Sequence, residues 1–136
     1  MVQEYQPLDR VPEDVLPTLN YLRKKGFKLG LLSNRDDPLD DLVTSLGIAE
    51  AFDLMLAAGE TGWWKPDPRV FRHAAARLDV APEASVYVGD NYFADVVGAG
   101  EAGMQPVLLD PAGLFPEAAC PVISSIGQLI PLLMGN

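Results

Sequence analysis

The stretch VYVGDNYFADVVGAGEAG, residues 86–103, decides how the fold of this chain is interpreted. It begins with the apolar run VYVG, typical of a buried strand, and Asp90 follows at once, with Asp95 five residues later. Its end, GAGEAG, has the glycine spacing of a dinucleotide-binding loop. The two halves therefore predict different ligands, a divalent cation for the first and a dinucleotide for the second.

The residues after the glycines exclude the dinucleotide. A GxGxxG loop holds a pyrophosphate on the N-terminus of the helix that follows it. Here Gly103 is followed directly by MQPVLLD, an apolar run that predicts a strand, so no helix fits. The glycines instead predict the end of a helix that packs closely on a sheet, with Gly103 as its C-terminal cap.

Outward from this stretch, helix and strand signals alternate along the chain. Apolar runs predict strands at 28–33, 53–58, 85–90, 105–110 and 122–123. Apolar spacing of three and four predicts helices at 12–25, 39–46, 70–78, 93–102 and 126–134. Strands that are apolar throughout indicate a parallel sheet covered on both faces. The prediction is an α/β, three-layer, Rossmann-like parallel sheet that forms a single domain over residues 1–136.

Composition excludes several classes of partner. The net charge is −9, with only 10 Lys and Arg residues, which argues against a nucleic-acid surface. No apolar run has the ~18 residues of a membrane span, and the first residues, MVQEYQPLDR, lack the apolar stretch that is typical of a signal peptide. Cys120 is the only cysteine, so an intrachain disulfide is impossible. We expect a cytoplasmic protein without nucleic-acid or membrane partners.

Polar residues follow three predicted elements, at the edge where parallel sheets bind ligands. Ser33 and Asn34 end one strand and suit phosphate oxygens, while Asp90 and Asp95 suit Mg²⁺. Lys65 lies in WWKPDP, where prolines stiffen the chain, and an ammonium there can neutralise a phosphate. An acidic chain that binds phosphate needs such cations. Helix-capping and surface roles are the alternatives for these residues.

Three of these segments together resemble the haloacid dehalogenase-like (HAD) hydrolase superfamily. The segments are LGLLSN, KPDPRVF and VGDNYFADVVGA, in that order. The resemblance implies that Ser33 holds a transferring phosphoryl group and that Lys65 bridges the phosphate and a nucleophile. It implies Asp90 as the Mg²⁺ ligand, with Asp95 supporting the metal site or Lys65. The function implied is a Mg²⁺-dependent, phosphatase-type hydrolase acting on a small phosphorylated molecule.

The family's first motif, Asp-x-Asp after an N-terminal strand, is absent from the sequence. No two aspartates lie two positions apart, and Asp9 follows no buried strand. In the family one of these aspartates attacks phosphorus and the other is the general acid and base. The resemblance therefore implies the portion of the fold after the first strand and the cap, inactive alone. The alternative is a non-catalytic phosphate- or Mg²⁺-binding module, or a fragment completed by a partner chain.

The missing first strand would lie between the strands of LGLLSN and VYVGD. Unpaired edges there would leave backbone groups without partners. Three arrangements would avoid this: direct pairing of the two strands, insertion of Val2 to Tyr5, or a strand from another chain, which includes a homo-oligomer. Because Gln3 and Glu4 are polar, we favour direct pairing or a second chain.

Overall fold

The computed structural model describes residues 2–3 and 11–135 of the chain. The strands are β1 Val2–Gln3, β2 Gly30–Ser33, β3 Leu54–Ala57, β4 Val86–Gly89, β5 Gln105–Leu109 and β6 Val122–Ile123. The helices are α1 Val15–Lys24, α2 Asp40–Ser45, α3 Pro68–Arg77, α4 Gly98–Glu101 and α5 Leu129–Met134. A π-helix, Tyr92–Val97, leads directly into α4.

Within the described residues the strands form one sheet of six, in the order β3-β2-β1-β4-β5-β6. Every pairing is parallel. Parallel neighbours need crossover connections, and helices supply most of them here. All strands therefore end at the same edge of the sheet, and the residues after β2, β3, β4 and β5 lie along that edge.

Two buried apolar clusters, one on each face of the sheet, make the fold three-layered. Neighbouring residues in a strand point to opposite faces, so Leu31 and Val88 enter one cluster while Leu32 and Tyr87 enter the other. The first cluster contains residues of α1, α2 and α5 and the residue before α2. They are Val15, Leu19, Leu22, Leu39, Val43 and Leu129. The second takes up α3 and α4, through Val70, Phe71, Ala74, Ala75 and Ala99.

The fold class is confirmed, but our expectation for the centre of the sheet needs correction. We favoured direct pairing or a second chain, yet the two-residue strand β1 lies between β2 and β4. Val2 is opposite Gly30 and Tyr87, and Gln3 is opposite Leu31 and Val88. Polar sequence is no obstacle here because parallel pairing uses backbone N–H and C=O groups. The rest of the Val2 to Tyr5 segment, and Asp9, lie outside the described residues.

The predicted elements agree with the structure to within a few residues. The short helix predicted at 93–102 is a π-helix followed by α4, and Gly103, with φ +94°, ends it as the predicted cap. The helix predicted at 126–134 begins with a 3-10 turn, Ile126–Gln128. Across residues 2–3 and 11–135, no helix combines the length and apolarity that crossing a membrane requires.

Candidate functional site

The candidate site lies at the carboxyl edge of the sheet, around a buried ion pair. The Lys65 ammonium donates a hydrogen bond of 2.7 Å to Oδ1 of Asp95, and both side chains are 1% exposed. Lys65 belongs to the loop before α3, and Asp95 to the π-helix after β4. The pair therefore joins two of the three segments that carry the predicted site.

The carboxylate of Asp95 also fixes the loop that carries Asp90. Its second oxygen, Oδ2, accepts a hydrogen bond of 2.9 Å from the backbone N–H of Asn91. The Asn91 side chain accepts in turn from the N–H of Ala94, as an N-cap of the π-helix. Both oxygens of Asp95 are thus in contact with the protein, one with an ammonium and the other with a backbone N–H.

A glycine at the end of β4 makes room for this carboxylate. A Cβ atom on Gly89 would lie 2.2 Å from Oδ2 of Asp95 and 2.3 Å from its Cγ. No side chain larger than hydrogen fits there unless Asp95 or the strand moves. The glycine in the VGD sequence is explained by this close approach.

Asn34 holds the backbone of Lys65 from the end of β2. Its Oδ1 accepts from the N–H of Lys65 at 2.8 Å, and its Nδ2 donates to the C=O of Lys65 at 3.2 Å. The peptide bond from Lys65 to Pro66 is cis. The amide of Asn34 is therefore engaged in placing Lys65, a role that we did not predict for it.

A second close approach joins the loops after β2 and β3. The N–H of Gly59 donates to the C=O of Arg35 at 2.9 Å. A Cβ atom on Gly59 would lie 2.5 Å from the Cα and O atoms of Asp36. The backbones of these two loops are therefore in direct contact. One loop follows Ser33 in the chain, and the other leads to Lys65.

Contacts among exposed and half-buried side chains hold the segment before α3 against the start of that helix. The Asp67 carboxylate caps α3 by accepting from the N–H of Arg69, and it also forms an ion pair of 2.7 Å with the Arg69 guanidinium. The Arg69 guanidinium lies 5.3 Å from the centroid of the Trp63 ring, which packs edge-on against His73. These contacts give His73 and Trp63 a structural explanation.

Ser33 is the last residue of β2, and Asp90 directly follows β4. Ser33 is buried, with 8% of its surface exposed, and its neighbour Asn34 contacts Lys65. Asp90 is exposed and precedes Asn91, which contacts Asp95. The structure thus brings the predicted segments to one edge of the sheet.

The donor set fits a Mg²⁺ ion that is only partly held by protein. Mg²⁺ is commonly bound through one or two carboxylates, with substrate phosphate and water completing its shell. Asp90 offers such a carboxylate, whereas both oxygens of Asp95 already make protein contacts. In the described part of the chain, no three His, Cys, Asp or Glu side chains converge on a possible metal position.

Asp110 follows β5 at the same edge and serves its own loop. Its carboxylate accepts from the N–H of Leu114 at 2.9 Å and from that of Phe115 at 2.8 Å. Asp110 therefore stabilises the fold of the loop after β5.

A comparison with known families agrees with this geometry. Residues 2–103 match the family model of the haloacid dehalogenase-like hydrolases. The chain belongs to this family. The match covers the segments that carry Ser33, Lys65, Asp90 and Asp95. The family assignment made from three sequence segments is therefore confirmed.

Individual relatives have the same family character. The chain is 37% identical over 130 residues to mouse haloacid dehalogenase-like hydrolase domain-containing protein 3, covering 91% of this chain and 52% of that protein. It is 45% identical over 96 residues to the phosphoserine phosphatase of Thermus thermophilus, covering 70% of this chain and 38% of that enzyme. The chain spans about half the length of the mouse relative.

A solved structure shows the same fold. The crystal structure of a HAD phosphatase from Thermococcus onnurineus superposes with a TM-score of 0.85 at 31% identity. The alignment covers 93% of this chain and 59% of that phosphatase. The sheet and its helices are thus those of a HAD hydrolase over nearly the whole described chain.

Proposed function

We propose that this chain carries the phosphate- and Mg²⁺-binding part of a phosphatase-type HAD hydrolase. The observation that supports it best is the buried Lys65–Asp95 pair, with the Lys65 backbone held by Asn34. Burying a charged pair costs several kcal/mol of desolvation per ion, so such a pair is rarely explained by stability alone. Binding of an anionic ligand by the Lys65 ammonium would account for keeping this pair buried.

Each of the predicted residues has a role in this proposal. The Ser33 hydroxyl and the N–H groups of the loop after β2 bind phosphate oxygens. The Lys65 ammonium offsets the phosphate charge, and Asn34 and Asp95 keep it in place. Asp90 would hold Mg²⁺, and the cation, when bound, would neutralise phosphate charge and polarise the phosphoryl group. Asp95 acts on the metal site through the Asn91 loop.

The covalent step is not assigned to any residue of this sequence. In the family an Asp-x-Asp aspartate attacks phosphorus, and the sequence contains no such pair. We therefore propose that the chain alone binds a small phosphorylated molecule with Mg²⁺ but does not hydrolyse it. A non-catalytic binding module gives the same expectation for the isolated chain.

Calorimetry with inorganic phosphate tests the binding proposal. We expect heat of binding when MgCl₂ is present, weaker binding with EDTA, and little or no binding for Lys65→Met. Lys25→Met is the matched control, since Lys25 is exposed and contacts the Tyr21 ring at the far end of α1. If Lys65→Met binds phosphate with the same affinity as the unaltered chain, the proposal is wrong.

Hydrolysis is tested separately with p-nitrophenyl phosphate. We expect no nitrophenol release above background, with or without MgCl₂. Release that requires Mg²⁺ and disappears in Lys65→Met would show that the chain supplies its own nucleophile. In that case the phosphatase assignment would hold and the inactivity of the isolated chain would be wrong.

A further inference from the structure

Tyr87 is a buried polar residue that the proposed site does not yet use. It lies in β4, the strand that leads to Asp90, and it has no exposed surface. Its ring packs edge-to-face on Phe71, with centroids 4.9 Å apart and planes at 84°. A buried phenol hydroxyl needs hydrogen-bond partners, so the position of its oxygen is informative.

The Tyr87 hydroxyl contacts two elements of the candidate site. It accepts a hydrogen bond of 3.3 Å from the Lys65 ammonium. It also donates to the C=O of Leu32, at the limiting distance of 3.5 Å. Leu32 immediately precedes Ser33 in β2. The phenol oxygen therefore lies between the ammonium of Lys65 and the strand that presents Ser33.

We propose that Tyr87 is a positioning residue for Lys65. A lysine ammonium is a compact charge on a flexible stem, and attraction to a carboxylate does not by itself fix its direction. The Tyr87 hydroxyl is an acceptor on a different element from Asp95, and it restricts where the ammonium can point. The Tyr87 ring adds to this, since the ammonium lies 5.7 Å from its centroid. The inference rests on the proposed function of Lys65 in phosphate binding.

The substitution Tyr87→Phe removes the phenol oxygen and keeps the ring that packs on Phe71. We expect the dissociation constant for inorganic phosphate, with MgCl₂ present, to rise about three- to ten-fold, which is the net contribution of one ordinary hydrogen bond. Tyr21→Phe is the matched control, because Tyr21 is on the surface of α1 and lies outside the site. It should leave the dissociation constant unchanged.

Nuclear magnetic resonance reports on the environment of the Lys65 side chain in the absence of a ligand. The chain contains four lysines, so the ¹³Cε–¹Hε signals of lysine-labelled protein are few, and Lys65→Met identifies the Lys65 signal by its loss. We expect Tyr87→Phe to shift and broaden that signal while the other three stay in place. Tyr21→Phe should leave the Lys65 signal unchanged.

The two readouts separate this inference from the proposed function. An unchanged Lys65 signal together with an unchanged dissociation constant in Tyr87→Phe would overturn the positioning role. If the unaltered chain binds no phosphate at all, the proposed function fails, and the Lys65 signal still decides whether Tyr87 orients the ammonium. A shifted signal with weakened phosphate binding supports both.

Discussion

The Lys65 ammonium and the Asp95 carboxylate form an ion pair of 2.7 Å from which solvent is almost completely excluded. Lys65 follows β3, at one end of the sheet, whereas Asp95 follows β4, beyond the central strand. Desolvation of both ions offsets much of their attraction, so the pair contributes more to the geometry of the site than to net stability.

Breaking this pair from one side should be strongly destabilising. We expect Lys65→Met or Asp95→Asn each to lower the free energy of unfolding by about 3–5 kcal/mol, because each removes one charge of a buried ion pair. The double variant should lose less than the sum of the two. Urea unfolding followed by circular dichroism measures all three.

The control for this prediction is the exposed pair of Arg23 and Asp53. Their side chains are 41% and 34% exposed and the N–O distance is 3.2 Å. Arg23→Met should cost at most about 1 kcal/mol. Equal losses for Arg23→Met and Lys65→Met would contradict the idea that burial sets the cost.

The close approach of Asp95 to Gly89 predicts that no residue larger than glycine is tolerated at position 89. Gly89→Ala places a methyl group against the Asp95 carboxylate, and we expect a loss of about 1–3 kcal/mol from overpacking. Phosphate binding should weaken at the same time, since Asp95 must move. Gly100→Ala is the control, because nothing lies within 4 Å of a Cβ there and alanine favours helix. Gly89→Ala with unaltered stability and binding would contradict the prediction.

The Asn34 amide predicts a loss in both stability and ligand binding. Asn34→Ala removes the two hydrogen bonds to the Lys65 backbone, and we expect a loss of about 1–2 kcal/mol in unfolding free energy. Inorganic phosphate should also bind more weakly by calorimetry. Asn20→Ala, on the exposed side of α1, should cause neither change. Phosphate binding by Asn34→Ala at the unaltered level would show that the amide does not place Lys65.

The N-cap of α3 predicts a stability that depends on acid. Hydrogen bonds from the Arg69 side chain and backbone hold the pKa of Asp67 below its ordinary value of 3.8. A lowered folded-state pKa means that the stabilisation is complete above about pH 5 and is lost as the pH falls through the folded-state pKa, below 3.8. The melting temperature of the unaltered chain should therefore fall more steeply between about pH 5 and pH 3 than that of Asp67→Asn. Parallel curves for the two proteins would contradict this.

Cys120 should react slowly with alkylating reagents. Burial raises the pKa of its thiol above the ordinary 9.0, with backbone hydrogen bonds at Leu108 and Cys120 itself opposing the shift in part. Because the thiolate is the reactive form, iodoacetamide near pH 8 should modify the folded chain more slowly than the urea-unfolded chain. Mass spectrometry of timed samples measures both rates. Equal rates would show that the thiol is not protected by the fold.

The sequence was sufficient for the helices, for the described strands other than β1 and for the edge of the sheet that carries the candidate site. Those features depend on local patterns, such as the apolar run VYVG and the helix cap Gly103, which also decide the structure. The segments of Ser33, Lys65 and Asp90 were placed together because parallel strands end at one edge.

Contacts between distant residues could not be predicted in the same way. The sequence does not predict the hydrogen bonds of the Asn34 amide to backbone atoms of a loop 31 residues away. In the sequence Tyr87 is one residue of an apolar run, and only the fold places its hydroxyl beside Lys65. The polar residues Gln3 and Glu4 argue against a central strand, yet β1 pairs through backbone atoms, about which residue type says little.

The central position of β1 has a consequence for how the molecule responds to denaturant. On one side of β1 lie β2 and β3, and on the other lie β4, β5 and β6. Side chains also join the two sides, since the Tyr87 hydroxyl in β4 contacts the C=O of Leu32 in β2 and Lys65, after β3, pairs with Asp95, after β4. We expect separation of the two sides to move Ser33 and Lys65 away from Asp90 and Asp95, so phosphate binding should be lost before the helices and strands of either side unfold.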